Sequence, residues 1–107
     1  MELWAGLVCL VADPRCKNFK RFGNGKGAYV NVVTWAESAK HFEGRVTASA
    51  ERLDCIVREM EQVELLESAL GREGCPDEFF TMRTTAELQP EDVVFGIFHV
   101  WVQDDLH

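Results

Sequence analysis

This chain of 107 residues has no apolar run long enough to span a bilayer, no CxxC pair, no histidine at zinc-finger distance from its cysteines, and no complete nucleotide-binding or catalytic motif. The first absence argues against a membrane helix. The second and third remove the usual zinc and redox frameworks. The fourth leaves no residue spacing that demands a cofactor, and none is expected. The apolar stretch 3–12 is preceded by Glu2, where an export signal needs basic residues, so it reads as a buried strand. Without an export signal, a cytoplasmic location is expected. Cys9, Cys16, Cys55 and Cys75 then read as free thiols that pack as small apolar side chains.

The longest stretch without acidic residues is also rich in basic ones. Between Pro14 and Ala36 there is no Asp or Glu, although the segment carries Arg15, Lys17, Lys20, Arg21 and Lys26. The whole chain has 11 basic and 18 acidic side chains and a net charge of -7. That balance works against nonspecific binding to nucleic acid or to an anionic membrane. The cations are thus concentrated in one loop of an otherwise acidic protein.

What is present suits one domain spanning residues 1–107: 47% hydrophobic and 27% charged residues around a single core. Residues 3–12 and 28–35 are rich in strand formers and are separated by a polar, glycine-bearing loop. Along the second strand Tyr29, Asn31, Val33 and Trp35 share one face, and Val30, Val32 and Thr34 the other. Thr34 and Glu37 have capping-box spacing and predict a helix start there. Ala36, Ala39, Phe42, Val46, Ala50 and Leu53 then recur at three- and four-residue steps and form its core stripe.

The stretch 53–70 carries two periods. Leu53, Ile56, Met60, Val63, Leu66 and Leu70 fall on a helical stripe, but one helix through them would exceed thirty residues, so 54–63 is taken as a strand. Residues 77–88 predict a short helix resting Phe79, Phe80 and Met82 on the core. Residues 93–102, β-branched and aromatic, predict one long interior strand. The expected fold is α+β: a small two-layer sandwich, roughly β-β-α-β-α-β, with a mixed or antiparallel four-stranded sheet and its helices on one face.

Three groups of residues bear on function. Gly23, Gly25 and Gly27 around Lys26 suggest a phosphate cradle, but the spacing is not that of a P-loop and a strand rather than a helix follows, so the glycines read as turn chemistry. Residues 26–32 likewise fall one position short of an RNA-stacking strand and lack its second aromatic platform. The basic loop as a whole, with Arg15, Lys17, Phe19, Lys20, Arg21, Phe22 and Lys26, offers cations and aromatic rings to an acidic partner or phosphorylated ligand. Glu59, Glu61, Glu64 and Glu67 read as a solvated face that blunts a sheet edge.

The expected function is that of a small intracellular, non-catalytic binding or regulatory domain acting through protein–protein recognition. Its acidic surface suits a basic partner, in the manner of a toxin-neutralising immunity protein, and its strand edges permit a homodimer. Two alternatives stand beside this: binding of a phosphorylated small molecule at the 15–27 loop, and an enzyme that uses His99 or Cys16 with a remote carboxylate.

Overall fold

Two strands, β1 (Glu2–Ala12) and β2 (Gly27–Ala36), pair antiparallel from Glu2 opposite Ala36 to Val11 opposite Gly27, forming the spine of a computed structural model that describes residues 1–12 and 27–101. The helix α1 (Ala39–Arg52) leads to β3 (Cys55–Leu65), which pairs with the free side of β1. Next come a short helix α2 (Leu66–Leu70), a helix α3 (Glu78–Leu88), and two short strands, β4 (Val94–Phe95) and β5 (His99–Trp101), both against β2. The order is β3-β1-β2-β4, with β5 also on β2, and every pairing is antiparallel. β2 and β3 therefore run in the same direction, with β1 between them and α1 as the connection.

Alternate residues of β1 and β2 point to opposite faces, and each face has its own apolar cluster. Val8 and Leu10 join Val30, Val32 and Ala36 beneath Phe42, Val46 and Ala50 of α1. Ala5 and Val33, of the other parity, lie beneath Leu66 and Ala69 of α2 and Phe79, Met82 and Ala86 of α3. The α+β class holds, while the helices divide between the two faces instead of sharing one. Fully burying a Phe, Val or Leu side chain contributes roughly 1.5–3 kcal/mol, so both faces contribute to stability.

The capping box expected at Thr34 does not form. Thr34 is fully buried in β2, and its hydroxyl donates to the Asp92 carbonyl at 3.1 Å. α1 starts one turn later at Ser38, whose Oγ accepts from the His41 N–H at 3.1 Å; His41 Nδ1 in turn accepts from the Glu37 N–H at 2.9 Å. A histidine thus reaches back as Glu or Gln does in a capping box, but to the N–H of the residue before the cap.

The double periodicity of 53–70 has a geometric origin. Opposite β1, β3 holds one extra residue between Val57 and Glu59 and another between Glu61 and Glu64. At the second of these β-bulges Gln62 has φ 56°, the left-handed region. Because of the bulges Cys55, Val57, Met60 and Val63 all pack toward α1, at spacings of two, three and three. A bulged strand therefore mimics a helical stripe. Opposite the second bulge lies Gly6, where a Cβ would stand 3.1 Å from Phe42 Cε2 and 3.2 Å from Val63 Cγ2.

The expected long interior strand 93–102 is instead two short pieces at the sheet edge, and β1 and β2 hold the interior. The break is made by a residue distant in sequence. Glu78, the first residue of α3, accepts from Asn31 Nδ2 at 2.7 Å and from the Ile97 N–H at 2.9 Å, while the Gly96 N–H donates to the Asn31 carbonyl at 2.8 Å. Ile97 gives its N–H to a side chain, and the ladder stops there. Phe80, expected in the core, is instead 47% exposed.

Candidate binding surface on the half-open sheet face

Among the described residues, the helices α2 and α3 cover only half of their sheet face, and in the other half Cys9 is nevertheless buried. α3 runs along β2, with Glu78 bonded to Asn31 at one end and the Ala86 carbonyl accepting from Trp35 Nε1 at 3.0 Å at the other. α2 packs where β1 carries Leu3 and Ala5. Beyond Leu7 and Asn31, toward the far end of the hairpin, neither apolar cluster includes Cys9, Val11, Tyr29 or Ile56.

On this open half the register aligns four chemically distinct side chains in one row. Glu59 of β3 lies opposite Cys9 of β1, Cys9 opposite Tyr29 of β2, and Tyr29 opposite His99 of β5. Directly opposed residues share a face, with Cβ atoms about 4.5–5.5 Å apart. One row further out, Ile56 lies opposite Val11; one row inward, Glu61 lies opposite Leu7, and Leu7 opposite Asn31. Tyr29, on the interior strand β2, is 39% exposed and Ile56, on the edge strand β3, 40%.

The electrostatics of the row are those of a resting surface. Burial first, then the Glu59 carboxylate, pushes the Cys9 thiol above its usual value of 9.0, outweighing a hydrogen bond from Tyr29 and the Arg58 charge. Tyr29 is raised as well, by Cys9 first, then by burial and Glu59. A nucleophilic thiol needs the opposite shift, toward thiolate. Glu64, next along β3, is paired with Arg72, whereas Glu59 and Glu61 have no ion-pair partner among the described residues.

The candidate residues named from sequence fare differently. Arg15, Lys17, Phe19, Lys20, Arg21, Phe22 and Lys26, together with Cys16 and the glycines before Gly27, lie outside the described residues. His99 is exposed on β5 in the row just described, opposite Tyr29. Glu59 and Glu61 lie on the exposed edge strand as expected, while Glu67 is on α2. No group of three His, Cys, Asp or Glu able to hold a metal occurs among the described residues, and no helix among them is long and apolar enough to cross a membrane.

The chain matches no family model, no curated protein and no solved structure. The row was open to view in the sequence only in part: the alternation of Tyr29 and Asn31 with buried valines marked the face, but the partners on β1, β3 and β5 needed the register.

A second concavity, of about 540 Å³, lies between α1 and residues 89–95. Arg45 and Arg52 both line it, and Arg45 is already engaged: its Nη1 donates to the Trp35 carbonyl at 2.7 Å and its Nη2 to the Glu91 carbonyl at 2.8 Å. These bonds fasten the 89–95 segment to the end of β2 and give Arg45 a structural role. The concavity also opens beside the α1 C-terminus, whose partial negative charge disfavours an anion.

Proposed function

We propose that this protein is a non-catalytic recognition domain that binds a protein partner through the open half of its sheet face. The observation that carries the reading is the pairing of exposed Tyr29 and Ile56 with the carboxylates of Glu59 and Glu61, an apolar centre beside a charged rim. Such a surface suits a partner that presents an aromatic or aliphatic side chain next to a cation. The upward shift of the Cys9 thiol supports recognition over covalent chemistry, and His41 is occupied as a helix cap. Among the described residues Cys9 and Cys75 are free thiols, which suits a reducing cytoplasm.

The test is affinity capture from the native cell extract with wild-type protein and with an Ile56→Asp/Glu61→Lys variant. Both substitutions are on exposed β3 positions and leave the two cores intact. A partner held by wild type and lost by the folded variant is expected. The same proteins captured equally by both would refute the reading.

A further inference from the structure

The face that bears the open sheet half is stepped. Among the described residues, α2 and α3 stand on one half as a raised layer, and the strands beyond Leu7 and Asn31 form the lower tread. The raised layer carries its own exposed aromatic group. Phe80 of α3 is 47% exposed, and the Arg83 guanidinium lies over its ring, 5.9 Å from the centroid. Arg83 is itself exposed and borders the groove between α2 and α3. The helix layer thus presents an aromatic ring beside a cation, the chemistry that the tread, with Tyr29, Ile56, Glu59 and Glu61, is suited to receive.

We infer that the partner at this surface is a second copy of the same chain, docked so that the α3 of each protomer, with Phe80 and Arg83, lies on the open sheet half of the other. The inference rests on the recognition role proposed above and names its occupant. The geometry permits one relation. A twofold axis along the strands would set the two helix layers against each other and hold the sheets apart. A twofold axis across the strands, parallel to the sheet and placed at the step, lowers each helix layer onto the partner's tread. The contact is then isologous, each protomer giving one raised and one recessed half. Phe80 meets Tyr29 and Ile56, and Arg83 meets Glu59 and Glu61. A stable pair needs about 800 Å² from each partner, and this arrangement engages both halves of the face.

The closing experiment exploits this reciprocity. In a homodimer of Arg83→Glu protein, both contacts set Glu against Glu59 and Glu61. In a homodimer of Glu59→Lys/Glu61→Lys protein, both set Lys against Arg83. In a one-to-one mixture, the heterodimer has one native contact and one with the charges exchanged, both attractive.

Sedimentation equilibrium over roughly micromolar to millimolar concentration should show a wild-type dimer, self-association weakened about tenfold or more in each variant alone, and its recovery on mixing. Far-UV circular dichroism and melting confirm that both variants fold. Wild-type protein that stays monomeric over this range overturns the inference, as does a dimer indifferent to either variant or variants whose mixture does not associate. A monomer that still captures a different protein through Ile56 and Glu61 would overturn the dimer alone and leave the recognition role standing.

Discussion

Replacing Gly96 by Ala tests the contact that breaks the last strand. A Cβ at Gly96 would lie 2.7 Å from Glu78 Oε1 and 2.8 Å from both Cδ and Oε2, closer than any real contact. The carboxylate must move, and in moving it releases Asn31 Nδ2 and the Ile97 N–H. Hydrogen bonds to charged groups contribute roughly 1.5–3 kcal/mol each; one of these is exposed and the other half-buried, so the expected loss is about 1–3 kcal/mol in total. Gly96 does not have a positive φ, so its backbone accepts alanine without strain.

The sign of the effect therefore depends on Glu78. With Glu78→Ala already in place there is no carboxylate to displace, and Gly96→Ala should become neutral or stabilise by about 0.4–1 kcal/mol through the unfolded chain. Urea denaturation of the four proteins in the cycle measures this coupling. An equal cost in both backgrounds would show that the strand is interrupted for a reason unrelated to Glu78. Faster hydrogen exchange at the Ile97 amide in Gly96→Ala gives a second, local readout.

Two other outcomes are expected. Gly6→Ala drives a methyl group into Phe42 and Val63 across the sheet–α1 interface and should destabilise by about 1–3 kcal/mol, which a thermal melt will register; an unchanged midpoint would refute the close approach. The raised Cys9 thiol makes stability sensitive to alkali. Below the usual value of 9.0 the thiol is protonated in both folded and unfolded states, so its contribution is fully present. As pH rises above that, the unfolded chain releases the proton while the folded chain keeps it, so stability falls until the folded thiol ionises. Cys9→Ala should flatten this decline in a pH series of urea midpoints, and an identical slope would count against the shift.

Local patterning was enough for the parts of the fold that obey one rule at a time. The alternation of Tyr29 to Trp35, the stripe of Phe42, Val46 and Ala50, and the helix over 77–88 all appear in the structure close to where the sequence places them. Patterning was insufficient wherever a distant residue intervened. Thr34 looked like a cap because its link to Asp92 is invisible along the chain, and 93–102 looked like one strand because Glu78 is far from Ile97 in sequence. Phe80 was assigned to the core on composition, but it lies just off the stripe of Phe79, Met82 and Ala86. The alternation of β2 puts Tyr29 on a face that the sequence reads as covered; the carboxylates and thiol beside it come from two other strands and meet it only through register.

The bulges of β3 bear on how the protein avoids sticking to itself in the wrong way. β3 is the outermost strand beside β1, eleven residues long, and a straight edge of that length is a template for runaway stacking. Arg58 and Gln62 are, in register terms, surplus: with both deleted, every remaining residue from Cys55 to Leu65 would face its present partner on β1 in an unbroken ladder. The chain retains them, and the outer edge is left crooked and charged. Two residues that add nothing to the core thereby act as a safeguard for solubility, and shortening this strand to a regular one would be expected to exchange a discrete protein for fibres.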